Sequence, residues 1–152
     1  AVLGHSLGEF VAAVIAGALD VRTATLLVCE RGRLMAGLPS GGAMLALRTS
    51  HQELESAVQA AGERVSGRIG VGAINGPASA VISGELDALQ LVLQQLPPGL
   101  STARVRASHA DHSPLMAPVA EGLSLRAAEL EAISPARPPN CLFFSTVSGA
   151  LL

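Results

Sequence analysis

Residues 4–9 read Gly-His-Ser-Leu-Gly-Glu, and Ser6, at the centre of this G-x-S-x-G turn, is the strongest candidate nucleophile in the chain. In such a turn the glycines permit a strained strand-to-helix corner, so the hydroxyl stands clear of the backbone while the next amide, the Leu7 N–H, faces a developing oxyanion. A serine hydroxyl is a poor nucleophile near neutral pH and needs a base within hydrogen-bond reach. Of the four histidines, His51 starts an exposed helix and His5 lies inside the turn, which leaves His109 and His112 in Ser-His-Ala-Asp-His-Ser-Pro-Leu-Met. His112 stands just before a helix start, and loops at element ends are where catalytic groups collect. A structural hydrogen-bonding role is the alternative. A third clue is Arg31, which falls in the apolar helical stripe Ala24, Leu27, Val28, Leu34 and Met35. Its guanidinium keeps its proton and needs an anion, either an internal Asp or Glu or the carboxylate of a substrate. Ser, His and a stripe Arg together point to transfer of a carboxylated acyl group.

These groups have to be held by elements, and the pattern predicts which. Ala1–Leu3 reads as the end of a buried strand, and Leu7, Phe10, Val11, Val14, Ile15 and Ala18 recur at helical spacing after the turn. Asp20 is a candidate N-cap for a second helix running to about Gly37. Residues 41–107 then alternate: a strand Ala43–Leu47, a helix to about Ala61 opened by a Ser50/Glu53 capping box, and strands Ile69–Ile74 and Ala80–Ser83 about an Asn75-Gly76-Pro77 turn. A helix Glu85–Leu96 follows, with Leu86, Leu89, Leu93 and Leu96 on one face, and a last strand turns Ala103, Val105 and Ala107 inward and Arg104 and Arg106 outward. The order β-α-β-β-α-β predicts a ferredoxin-like lobe inserted between two stretches of another type, residues 1–40 and 108–152. In the last stretch Ser113-Pro114 starts a helix with Leu115, Val119 and Leu123 on one face, Pro135–Asn140 is a loop, and Leu142–Ser145 is a short strand.

Composition removes whole classes of function. Hydrophobic residues make up 49% and aromatics 2%, so the core is aliphatic and there is no stacking platform; with a net charge of -2 this excludes nucleic acid as a partner. Every Lys-or-Arg position is Arg, which excludes a Schiff-base lysine. Cys29 and Cys141 are too few for a disulfide framework and read as buried thiols in a reducing, cytoplasmic setting. The longest apolar stretch, Phe10–Leu19, falls short of a membrane span. With Ser6 so near the first residue, the chain is expected to be a piece of something larger.

The blocks GHSLGE, ERGRLM, GGAM, NGPASAVISGE, HADHSPLM and STVSG, in this order and spacing, are where the chain becomes recognisable. It resembles the acyltransferase domain of type I modular polyketide synthases and, more broadly, the malonyl-CoA:acyl carrier protein transacylases. The resemblance implies an α/β fold, a partial α/β-hydrolase-like large lobe with the ferredoxin-like small lobe inserted. It makes Ser6 the acylated nucleophile, His112 its general base in a Ser-His dyad, Arg31 the partner of the extender carboxylate, and the Leu7 N–H half of the oxyanion hole. It also implies a polar active-site contact for Asn75, which by itself reads equally well as a turn residue, and a role in choosing the acyl group for Leu7, His109, Ala110 and Asp111. Leu7, His109 and Ala110 lean towards malonyl, whereas Asp111 departs from both the malonyl and the methylmalonyl patterns.

The resemblance further implies malonyl-CoA as donor, the phosphopantetheine of an acyl carrier protein as acceptor, no metal and no bound cofactor. Neighbouring synthase domains, a ketosynthase and its linker, are the implied partners. The family's glutamine-bearing strand upstream of the turn is missing from this sequence. A stand-alone malonyl transacylase of fatty-acid synthesis, a serine hydrolase or thioesterase, and an inactive fragment of such a domain are the other readings.

Overall fold

In the computed structural model, which describes residues 1–152, apolar residues from both ends of the chain form a two-stranded parallel sheet: β1 (Val2–Leu3) pairs with β6 (Phe143–Phe144), Val2 opposite Phe143 and Leu3 opposite Phe144. After β1 come α1 (Gly8–Ile15) and α2 (Val21–Ala36), and α5 (Ala117–Ile133) precedes β6. Residues Ala1–Gly37 and Val119–Leu152 make up one compact unit, and Leu38–Pro118 make up another.

The first unit is organised around its helix ends. Asp20 caps α2 as its sequence position predicts, accepting from the Thr23 N–H at 2.9 Å and the Thr23 hydroxyl at 2.6 Å. Its carboxylate also accepts from the Ser134 hydroxyl, 2.8 Å away just beyond α5. These donors, Thr23 first, hold the Asp20 carboxyl well below the usual carboxylate range. The N–H groups of Ala16, Gly17 and Ala18 close the end of α1 on the Ala12, Val14 and Ala13 carbonyls, and the 135–140 loop binds the turn that follows, through Asn140 N–H to Ala16 O at 2.7 Å and Arg137 N–H to Ala18 O at 2.9 Å.

The core of this unit is built from small residues, Ala12, Ala13 and Ala16 against Phe143, with Val2, Ala18, Leu19 and Cys141 beside them. The stripe expected for α1 is therefore displaced. Leu7, Val11 and Ile15 are 44%, 63% and 65% exposed, because α1 approaches its sheet closely enough that alanine, rather than valine or isoleucine, fits the contact. The buried thiols are corrected too: Cys29 is exposed on α2 and Cys141 is half-buried. No helix is long and apolar enough to cross a membrane.

In the second unit the elements run β2 (Ala43–Leu47), α3 (His51–Ala61), β3 (Ile69–Gly76), β4 (Ser79–Gly84), α4 (Leu86–Leu93) and β5 (Thr102–Arg104). The sheet order is β3-β4-β2-β5, antiparallel throughout. The expected capping box is present, with the Ser50 hydroxyl accepting from the Glu53 N–H and the Glu53 carboxylate accepting from the Ser50 N–H. One face of the sheet packs on α3 and α4 through Leu47, Leu54, Ile82, Leu89 and Val92, all buried.

Three local expectations change. The hairpin turns at Pro77-Ala78, so Asn75 and Gly76 extend β3, with register shifts between Val71 and Ala73 and, across Asn75 itself, between Ile74 and Gly76. The buried face of α4 is Ala88, Leu89 and Val92, with Leu96 beyond its end, whereas Leu86, in the first turn, is 48% exposed. The final strand is a three-residue edge with Ala103 exposed rather than inward, because β2 covers only one side of it. The segment from His109 to Pro118 lies in the compact unit that holds the four-stranded sheet.

The Asp20 cap gives a pH prediction. A carboxyl lowered in the folded state contributes stability that is complete above the unfolded value of about 3.9 and is lost as pH falls below it. Asp20→Asn retains an N-cap acceptor but has no charge to lose. The urea midpoint of the parent should therefore exceed that of Asp20→Asn at pH 7, with the gap closing below about pH 4.

Candidate active site

The serine-bearing turn is built by steric exclusion. The last residues of β1 run into Gly4, which is buried, and a Cβ at Gly4 would collide with the Gly8 carbonyl at the start of α1. Glycine is required there by the close approach of turn and helix. Gly8, by contrast, has open space about it, so only the first glycine of the pentapeptide has the steric role expected of both. Within this corner Ser6 is held at φ 52°. Hydrogen bonds from Gly8 N–H to His5 O (2.9 Å) and Glu9 N–H to Ser6 O (3.0 Å) close the turn. Leu7 is the helix N-cap, its side chain 44% exposed, and the turn's hydrogen-bonded ladder begins one residue after its N–H.

Arg31 lies half-buried on α2 in the same unit. Its sequence neighbour Glu30 is committed elsewhere: Arg33 Nε and Nη2 donate to the Glu30 carboxylate at 2.8 and 2.6 Å and hold its carboxyl below the usual range. The Arg33 side chain is 69% exposed.

The histidine segment is seated in the other unit by a second set of glycines. A Cβ on Gly42 (φ 86°) would lie 2.9 Å from the Ala110 Cβ and 3.0 Å from the Gly84 carbonyl, and one on Gly70 would lie 3.1 Å from the His112 carbonyl. The loop thus rests directly on strand backbone. Buried Ser113 fixes its shape, its hydroxyl donating to Ala110 O at 2.6 Å. His112, at the end of this turn, is exposed and held at φ 61°. His109 is half-buried with Nδ1 2.9 Å from the Ser108 hydroxyl, Ala110 is buried, and Asp111 is half-buried with its Oδ1 shielded from solvent. His51 sits on exposed α3, Nε2 3.2 Å from Glu55 Oε1, a surface pair as its position implied.

Ser6, Leu7 and Arg31 therefore belong to one unit, and Asn75, His109, Ala110, Asp111 and His112 to the other. Asn75 is exposed near the end of β3, whereas the strand residue that touches the His112 backbone is Gly70. A cleft of about 550 Å³ opens beside the loop, lined by Gly42, Glu85, His109, Ala110, Leu115 and Met116 among others. Two of the residues expected to choose the acyl group line it.

Sequence reasoning missed one pair. Glu9 Oε1 accepts from the Thr146 N–H at 2.6 Å and from its hydroxyl at 2.5 Å, and that hydroxyl lies 3.2 Å from the Gly4 carbonyl. The signal was available in the GHSLGE and STVSG blocks, both of which carry a polar residue with no assigned task.

Among the described residues Ser6 and His112 are the only non-glycine positions at positive φ. A left-handed backbone at a residue with a Cβ stores on the order of 1 kcal/mol or more and persists where the surroundings over-determine it. Residues 1–150 match the model of the acyl transferase domain family. Polyketide synthase GfsA of Streptomyces halstedii is 44% identical over 141 residues, 88% of this chain and 2% of that protein. The crystal structure of the acyltransferase domain from the second module of the salinomycin polyketide synthase superposes with a TM-score of 0.85 at 37% identity, over 99% of this chain and 34% of that one. A malonyl-transacylase solved in complex with a type II acyl-carrier protein superposes with a TM-score of 0.83 at 26% identity, over 99% of this chain and 48% of that one. The chain thus spans less than half the length of these relatives.

The strain is testable without any assumption about activity. At both positions glycine should be better tolerated than alanine, with Ser6→Gly and His112→Gly each more stable than the matching Ala variant by about 1 kcal/mol in chemical denaturation. At ordinary negative-φ positions alanine would be the more stable of the two.

Proposed function

Because this chain belongs to the acyl transferase domain family, we propose that it moves a malonyl-type acyl group from coenzyme A to the phosphopantetheine thiol of an acyl carrier protein, by way of an ester on Ser6. One observation carries the reading furthest: the residues it needs as nucleophile and base, Ser6 and His112, are the two held at positive φ. Strain of this kind concentrates at active sites.

In the first half-reaction the Ser6 hydroxyl attacks the thioester carbonyl while the His112 imidazole takes its proton. The oxyanion accepts a hydrogen bond from the Leu7 N–H, and collapse breaks the carbon–sulfur bond as His112 returns the proton to the coenzyme A sulfur. In the second half the carrier thiol gives its proton to His112 and attacks the seryl ester. Ser6 recovers its hydroxyl proton, so atoms balance over the cycle with no bound cofactor. Arg31 pairs with the malonyl carboxylate, orienting the acyl chain and selecting against neutral acyl groups. Asn75 supplies a polar contact, and Leu7, His109, Ala110 and Asp111 shape the choice of extender.

The unit with the four-stranded sheet reads as a ferredoxin-like lobe, about residues 41–107, on its β-α-β-β-α-β order and β3-β4-β2-β5 sheet. The parallel β1–β6 pair with its turn into α1 fits part of an α/β-hydrolase-like lobe. The two free cysteines suit a reducing, cytoplasmic setting beside a ketosynthase and its linker.

Radiolabelled malonyl-CoA tests the reading in the acyltransferase domain that contains this chain. Stable label on Ser6 that a carrier thiol removes is the expected result; free malonate would indicate a hydrolase, and no label an inactive domain. Ser6→Ala should abolish labelling, and His112→Ala should be nearly as severe, with losses on the order of a million-fold for such a pair. Arg31→Ala should lower malonyl transfer by about 30-fold to a few thousand-fold while sparing acetyl transfer. Equal losses for both acyl groups would make Arg31 structural.

A further inference from the structure

We propose that Glu9 and Thr146 are positioning residues that hold the strained Ser6 turn from both sides. The inference rests on Ser6 being the nucleophile. Because β1 and β6 run parallel, with Leu3 opposite Phe144, the chain leaves both strands at the same edge. Ser6 and Thr146 follow within a few residues of that edge, so one loop can brace the other.

The bracing is specific. Thr146 presents two donors to one carboxylate oxygen of Glu9, and its hydroxyl is also within reach of the Gly4 carbonyl. Gly4 is two residues before Ser6 and Glu9 three after it, so a single threonine ties together the two ends of the segment that holds φ 52°. The Thr146 loop is itself stiff: Ser145 is buried, its N–H donates to Ala150 O at 2.9 Å, its hydroxyl accepts from the Val147 N–H at 3.1 Å, and its carbonyl accepts from the Gly149 N–H at 3.0 Å. A Ser-x-x-Glu run at a helix start would ordinarily make a capping box, in which the serine hydroxyl is spent on the helix. Here Leu7 is the N-cap, no side chain caps α1, and the Glu9 carboxylate bonds Thr146. The Glu9 carboxylate instead ties the start of α1 to a loop 137 residues distant in sequence.

Removing the brace should let the turn relax, which misplaces the hydroxyl without touching bound acyl donor. A misplacement of about 1 Å lowers turnover by on the order of 100-fold. In the acyltransferase domain containing this chain, Glu9→Ala should lower kcat of acylation by about 10- to 100-fold per folded molecule with KM little changed. Glu9→Gln, which keeps an acceptor at the same place, should restore most of it, and Thr146→Ser should behave like the parent where Thr146→Val does not. A residue that merely stabilised the fold would lower the melting temperature and leave kcat of the folded fraction alone. The rate at which phenylmethanesulfonyl fluoride modifies Ser6, measured on the same variants, reads the positioning independently of any acyl donor. Failure of the parent to accept malonyl would overturn the proposed function, whereas reagent rates and kcat unchanged in Glu9→Ala, or Glu9→Gln as impaired as Glu9→Ala, would overturn the positioning role. If Glu9→Ala does not fold, the Thr146→Val and Thr146→Ser pair decides by the same criteria.

Discussion

The approach of α1 to the end of β1, so close that only glycine fits at position 4, is the constraint from which the serine-bearing unit follows. Gly4 lies against the Gly8 carbonyl, and between them the chain turns from strand to helix with Ser6 at φ 52°. The same closeness explains the alanine contact face of α1. Ala12, Ala13 and Ala16 bring the helix down onto Phe143, and a larger residue at any of them would lift it and relax the corner. The small-residue core and the strained turn are thus one feature seen at two places.

The second unit reaches a comparable local result by other means. Its two-layer core is closed on one face of the sheet, and the histidine loop lies against strand backbone where Gly42 and Gly70 leave room. Ser113, bonded back to Ala110, shortens the loop into a tight turn, and His112 takes the positive φ that the shortening requires. A side chain carried on such a turn has a fixed starting point, which narrows the positions that the His112 imidazole can reach.

What the sequence disclosed was chemistry that acts over three or four residues. The Asp20 cap, the Ser50/Glu53 capping box and the β2 boundaries are local hydrogen-bond and periodicity signals, and they stand where they were expected. The candidate residues at the turn and in the histidine loop were legible because glycine, serine and histidine occur there in short blocks. Helix faces were less legible. In α1 and α4 hydrophobic spacing predicts a core side that includes Val11, Ile15 and Leu86, yet these are exposed; alanines take the contact in α1, and Ala88 joins Leu89 and Val92 in α4, since burial depends on how elements pack and not on hydrophobicity alone. Asn75 read as a turn residue because Asn-Gly-Pro is a turn signal, but cross-strand pairing with β4 extends the strand through it.

The Glu9–Thr146 bond marks the limit of such reading, and it also shows why the limit falls where it does. Its partners are distant in sequence, and neither is unusual for its local context: a glutamate in a first helical turn suits the helix dipole, and a threonine after a strand suits a turn. Each residue therefore satisfies a local rule that accounts for it completely. Only the parallel pairing of β1 with β6 reveals that the two lie at one edge, where one carboxylate oxygen meets a residue with two donors. A strained turn needs opposition from outside its own segment, because contacts within the segment would relax along with it. That requirement makes a bond from a distant loop the expected kind of support, and it makes the end of the neighbouring parallel strand the place to look for it.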